Sequence, residues 1–301
     1  MLVFAVLVGS AAAFAVAERL KLEPSPIRGA RVTKLFSPVC KCSSSKARIA
    51  FRLGSPDVVS VSIIDASGQN VRVLADDRAV GTKTTAFLWN GRDDAGALVP
   101  DGLYRPRLRL AAPEKTFVLS NVIRVDSTPP RLTVVSVAPR TISPDGDRRG
   151  DRVIVRYRVS QPARAMLLVD GVRRVFARDA SVAGDLRWYG QADGRPLPPG
   201  RHTLTVVAVD PAGNSSRPVD AGRVAIRYLT LGKAVYRVRA GRPFSVFVAT
   251  DVRRLSWLLA GRRGTGRPPA LRLRAPATPG VYTLYVLANQ HAQRARVVVA
   301  R

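Results

Sequence analysis

The stretch WNGRDDAGALVPDGLY, from Trp89 to Tyr104, returns further along the chain as WYGQADGRPLPPGRH, from Trp188 to His202. Trp89-x-Gly91 answers to Trp188-x-Gly190, and Gly96 to Gly194. Val99-Pro100 answers to Leu197-Pro198, Gly102 to Gly200, and Tyr104 to His202, with one extra residue before Gly96 as the only change of register. Glycines at fixed steps between a Trp and an aromatic ring read as turns that need positive φ at 91, 96, 190 and 194. One structural unit is used twice.

Working outward, the likeness extends upstream. Phe36-Ser37-Pro38 matches Ile142-Ser143-Pro144, and the same fourteen-residue step leads from Ser37 to Phe51 and from Ser143 to Tyr157. Each aromatic sits in an alternating run, Ala47-Ile49-Phe51-Leu53 or Val153-Val155-Tyr157-Val159, which is the period of a half-buried strand. A second strand follows in each copy (Val59-Val61-Ile63; Ala165-Leu167-Val169), then turn residues at Asp65/Gly68 and Asp170/Gly171. A third, shorter copy keeps Gly280-x-Tyr282 and its closing strand Thr283–Leu287 but lacks the Trp-x-Gly turn. Strands at Phe244-Val246-Val248, Leu255-Trp257-Leu259 and Leu271-Leu273 precede it, and Arg294–Val299 ends it. The reading is all-β, with domains over 31–127, 128–229 and 230–301. Asp126-Ser127-Thr128-Pro129-Pro130 forms a stiff joint, because its prolines cannot donate to a ladder.

Residues 1–17 are apolar and carry no charge, so a helix is expected there, with 18–30 as a linker. Such a helix is about 26 Å long against a hydrocarbon core of about 30 Å. Small residues at Ala13, Ala15 and Ala17 leave a cleaved secretion signal and a membrane anchor both open. No Lys or Arg precedes the segment while Arg19, Lys21, Arg28 and Arg31 follow it, which taken alone would keep the bulk of the chain inside. The expectation of export therefore rests on the kind of domain that follows.

The Trp-Asn-Gly…Gly…Val-Pro-x-Gly-x-Tyr string resembles the immunoglobulin-like domain of the flagellar hook-capping protein (FlgD-type), over roughly 31–125 and 129–228. That resemblance implies tandem Ig-like β-sandwiches serving as structural or adhesive modules of secreted and surface proteins. The hook-assembly part of that protein has no counterpart here. Gly102-x-Tyr104 and Gly280-x-Tyr282 are similar to the tyrosine corner of Greek-key sandwiches, in which a hydroxyl bonds back to upstream backbone. His202 can do this only through a ring nitrogen.

With 49 Lys+Arg against 21 Asp+Glu, the net charge is +28 over 301 residues. Such a balance points to an anionic partner. The charges, nearly all Arg, alternate with apolar residues, as in Arg152-Val153-Ile154-Val155-Arg156-Tyr157-Arg158. That is the solvated face of a strand. No helix-turn-helix, zinc-finger or RNP pattern accompanies it, so nucleic acid is not expected as partner.

No catalytic constellation is legible. His202 and His291 lie in no metal-ligand spacing, no Gly-x-Ser-x-Gly elbow occurs, and the acidic residues fall at turns. Trp89 and Trp188 are expected to cover the core, with a sugar-stacking platform as the sharper alternative. Arg149-Gly150-Asp151 spells an integrin-type tripeptide that chance explains in so Arg-rich a chain. Cys40 and Cys42, the two cysteines, allow a small disulfide ring around Lys41, an intermolecular bridge, a metal site or free thiols. Asp145, Asp147 and Asp151, with Gly146 and Gly150 between them, can converge oxygens on Ca²⁺ or form an Asx-type turn. The expected function is a non-catalytic, exported structural or interaction protein of a bacterial cell envelope. Its partner is a protein or an anionic envelope polymer, with membrane contact through an uncleaved N-terminus. Accessory domains of an extracellular enzyme are the other alternative.

Overall fold

A computed structural model describes residues 25–112 and 114–301, and they are all strand, turn and loop. The apolar segment 1–17 lies outside the described residues. The chain divides into two compact units. One runs up to Thr128 and takes in Ala212–Asn214; the other comprises Pro129–Pro211 and Ser215–Arg301.

The first unit holds one sandwich. Its strands are β1 (Ile27–Val32), β2 (Leu35–Phe36), β3 (Ala47–Leu53), β4 (Asp57–Ile64) and β5 (Asn70–Val80). After these come β6 (Thr85–Trp89), β7 (Gly102–Leu110), β8 (Lys115–Val118) and β9 (Ile123–Val125). One sheet is ordered β1-β3-β6, and the other β2-β9-β7-β4-β5 with β8 on β7. Alternation dictates the layers: Ile49, Phe51 and Leu53 of β3 face the core while Arg48 and Arg52 face water. Val59, Val61 and Ile63 of β4 close the core from the opposite sheet. β1 begins at Ile27, inside the stretch assigned to a linker. Its pattern is weak because it alternates poorly and shifts register between Arg28 and Arg31, around Gly29 at φ 60°.

The second unit holds two sandwiches, each with its own core. The first comprises β10 (Leu132–Ala138), β11 (Thr141–Ile142), β12 (Val153–Val169), β13 (Val172–Phe176) and β14 (Ser181–Trp188). A small hairpin, β15 (Gln191–Ala192) with β16 (Arg195–Pro196), is followed by β17 (Gly200–Val209) and β18 (Val219–Ile226). Its neighbour comprises β19 (Thr230–Leu231), β20 (Val235–Arg239), β21 (Pro243–Ala249), β22 (Leu255–Leu259) and β23 (Arg262–Gly266). β24 (Ala270–Arg274), β25 (Gly280–Ala288) and β26 (His291–Ala300) complete it.

The strand order repeats. β10-β12-β14 and β19-β21-β24 reproduce the three-stranded sheet, while β11-β18-β17-β12-β13 and β20-β26-β25-β22-β23 reproduce the five-stranded one. In each case the short second strand runs parallel to the last, as β2 does to β9, β11 to β18 and β20 to β26. This is an immunoglobulin-like order, built three times. The two strands expected at 153–159 and 165–169 are one continuous β12. Val153–Arg158 pairs with β14 in one sheet and Arg164–Val169 with β17 in the other, so a single strand turns the corner between sheets.

Candidate metal centre

The repeated sequence elements meet in space. Trp89 is fully buried and its Nε1 donates to Arg92 O at 3.0 Å; Trp188, 3% exposed, donates to Gln191 O at 2.9 Å. Burial closes either ring to a sugar platform. A Cβ on Gly91 would lie 2.7 Å from Pro38 Cβ, and one on Gly190 would lie 2.6 Å from Pro144 Cγ. The Ser-Pro and Trp-x-Gly elements therefore travel together because the proline packs onto the bare glycine, at φ 71° and 66° respectively. Gly96 and Gly194, at φ 84° and 76°, face open space and serve the turn alone.

The third residue of β7, β17 and β25 forms the corner in each sandwich. Tyr104 Oη donates to Pro100 O at 2.8 Å and Tyr282 Oη to Thr278 O at 2.9 Å. His202 Nε2 lies 3.1 Å from Pro198 O, with the same four-residue step back. Its Nδ1 is 2.7 Å from Asp170 Oδ2. Asp170 also accepts from the Thr203 N–H and hydroxyl. Burial pushes the Asp170 carboxyl up, but these hydrogen bonds outweigh it and hold the group below its ordinary 3.8.

The Cys40 and Cys42 sulfurs are 2.07 Å apart, bonded to each other in the loop between β2 and β3.

The corresponding loop of the second sandwich, between β11 and β12, carries the acidic residues. Asp151 Oδ1 accepts from Gly146 N at 3.1 Å and its Oδ2 from Arg148 N at 2.7 Å. It thereby braces the turn from inside, and the tripeptide ending on it is engaged in the loop. The carboxylate that joins Asp145 and Asp147 is instead Asp251, from the segment between β21 and β22. One oxygen from each of the three lies within 4.8 Å of the others. Asp145 Oδ2 accepts from Asn289 Nδ2 at 2.7 Å, and Asp147 Oδ1 from Arg149 N at 2.8 Å. Arg152 turns away, donating to Tyr189 Oη at 3.0 Å. Among the described residues no Lys or Arg forms an ion pair with Asp145, Asp147 or Asp251.

Asp251 has no hydrogen bond on either carboxylate oxygen, and both are shielded from solvent. Burial pushes its carboxyl up; the nearby Ser143 hydroxyl pulls it down without an ordinary hydrogen bond between them, and Asp145 and Asp147 push it up again. The approach is close because residue 150 is glycine: a Cβ there, at φ 57°, would lie 2.8 Å from Asp251 Oδ2. Asp251 stands more than a hundred residues along the chain from Asp145 and Asp147, in a segment without a motif, so no sequence signal marks it.

A second feature invisible in the sequence is a groove of about 720 Å³ in the last sandwich, lined by Trp257, Arg262, Arg272, Arg274 and Tyr282. The Trp257 ring lies across β23 at Gly264, where a Cβ would come within 2.6 Å of Cζ2.

No protein-family model and no curated protein matches the chain. Among solved structures it is similar to fibronectin(III)-like modules of CbhA from Clostridium thermocellum, at 15% identity and TM-score 0.37, over 66% of this chain and 93% of that one. It is also similar to an I-band fragment of titin, at 9% identity and TM-score 0.34, over 92% of this chain and 98% of that one. A Bacteroides ovatus mixed-linkage glucan utilization protein, solved with a heptasaccharide, aligns at 13% identity and TM-score 0.23, over 90% and 70% of the two chains. Scores of this size leave the chain's own strand order as the ground for its fold and carry nothing about what it binds.

Proposed function

We propose that the chain is a non-catalytic, exported structural or interaction protein of a bacterial cell envelope, its first two sandwiches being FlgD-type Ig-like domains. The observation that carries this reading is the use made of chemistry-bearing side chains. Trp89, Trp188, Tyr104 and the His202–Asp170 pair are engaged in turns and corners, while outward strand positions such as Arg48, Arg52 and Arg158 present charge to solvent. Three rigid modules with such faces suit docking and spacing rather than chemistry, because function must be argued from a site. Cross-linking in intact cells tests the reading. Adducts with envelope proteins are expected, and adducts confined to cytosolic protein or nucleic acid would refute it.

The groove at Trp257 favours a second reading, in which the partner is an anionic envelope polymer held by Arg262, Arg272 and Arg274 beside an aromatic face. Ionic strength separates the two. Retention on isolated cell wall should fall steeply between 50 and 200 mM salt if a polyanion is the partner, and a protein contact should persist.

A further inference from the structure

The unpartnered polar atoms of the protein are not scattered. Among the described residues five buried side-chain nitrogen or oxygen atoms have no hydrogen bond: Ser143 Oγ, Arg174 Nε, Tyr228 Oη and both carboxylate oxygens of Asp251. All but Arg174 Nε gather where the two sandwiches of the second unit join. Ser143 and Tyr228 are each only 5% exposed. Ser143 and Asp251 meet at Gly150, where a Cβ would lie 4.0 Å from Ser143 N and 2.8 Å from Asp251 Oδ2, and burial first, then the Asp145 carboxylate, pushes the Tyr228 hydroxyl up. Hydrogen bonds bring the parts together: Arg227 N donates to Ile142 O at 2.9 Å, and the Thr250 hydroxyl to Tyr228 O at 2.8 Å. Beside them stand the three carboxylates with oxygens within 4.8 Å of one another.

Buried polar groups are nearly always satisfied, and a cluster of orphaned oxygens asks for a missing partner. Here the fitting partner is positive, because like charges held together without a counter-charge are unfavourable and, among the described residues, no Lys or Arg forms an ion pair with them. It must also be small, because the oxygens fit a common sphere. A cation ringed at the Ca–O distance of about 2.4 Å puts opposite ligands about 4.8 Å apart. The donors are carboxylate and hydroxyl oxygens with no sulfur among them, the set a hard divalent ion takes.

We propose that Asp145, Asp147 and Asp251, with Ser143, bind a hard divalent cation, Ca²⁺, and that the ion staples the second sandwich to the third. Asp145 and Asp147 come from the loop after β11 and Asp251 from the segment after β21, so neither sandwich holds a complete site. Asn289 on Asp145 and the stacked rings of Tyr228 and His291, 3.6 Å between centroids, brace the same junction. The inference rests on the geometry of the second unit and is independent of where in the cell the chain works.

The test uses the full chain freed of metal by chelator, then titrated with CaCl₂ or MgCl₂ at constant ionic strength. A site with only three carboxylates falls at the weak end of the calcium range, about 10⁻⁴–10⁻³ M. At ~10 mM Ca²⁺ the second unit should melt roughly 3–10 °C higher, through binding to the folded state alone. MgCl₂ should give a smaller rise and matched NaCl none. D251N should lose the calcium shift yet melt no lower than the parent in chelator, since it removes a buried carboxylate without a partner. Hydrogen exchange on the parent protein offers a readout that needs no variant. Calcium should slow exchange both in the loop 143–151 and in the segment 249–255. Coincident melting curves with and without calcium, an equal rise in NaCl, a calcium shift retained by D251N, or protection on one side of the junction only would each overturn the proposal.

Discussion

Tyr104→Phe isolates what the corner contributes. The ring stays, still 5.1 Å from Trp89 and 6% exposed, so packing is retained and only the 2.8 Å hydrogen bond to Pro100 O is lost. Pro100 is exposed, so its carbonyl can turn to water rather than remain an orphan acceptor. The net value of a neutral hydrogen bond, about 1 kcal/mol, is then the expected cost. Tyr282→Phe provides the contrast, because its bond to Thr278 O at 2.9 Å lies in the open and should be worth about half as much. Native-state hydrogen exchange reads the sandwiches separately. Amides of β7 should exchange about fivefold faster in Tyr104→Phe, the population change for about 1 kcal/mol, while those of β25 should be unaffected. No change in β7, or a larger effect from Tyr282→Phe on its own sandwich, would refute the idea that burial sets the worth of the corner.

Gly91→Ala and Gly190→Ala each combine a left-handed φ with a Cβ driven into a proline, and each should cost more than about 1 kcal/mol in denaturant unfolding. Gly96→Ala meets open space and should cost less than either. The Asp170 carboxyl is held below its ordinary value, so its contribution is present above pH 3.8 and is lost as pH falls through its lower folded value. Asp170→Asn should therefore flatten the acid limb of the stability curve below about pH 4, measured by urea unfolding at stepped pH. Reduction of the Cys40–Cys42 bond should lower the stability of the first unit by no more than about 1.6 kcal/mol, since the closed loop is so short.

Much of the fold was legible because alternation and turn chemistry act locally. Tyr157 faces its core with Arg156 and Arg158 on either side, Phe51 faces its own with Arg52 turned out beside it, and the glycines at 91, 96, 190 and 194 take the positive φ that their spacing demands. The last sandwich keeps the full strand order although it has no Trp-x-Gly turn, so that element braces the order without being needed for it. What sequence missed is non-local. Residues 160–163, Ser-Gln-Pro-Ala, read as a break, yet β12 runs through them because its halves are claimed by different sheets. Asp151 had the spacing of a ligand, but its oxygens face the N–H groups of its own loop. Asp251 had no spacing at all and arrives by tertiary packing.

The claim that the sandwiches are presented outside the membrane is tested most directly by protease shaving of intact cells, followed by fractionation and detection of the chain with antibody. Protease added outside should reach the chain and cut near Thr128–Pro130, the joint between the two compact units. Full-length chain found only in the cytosol and untouched by external protease would contradict it.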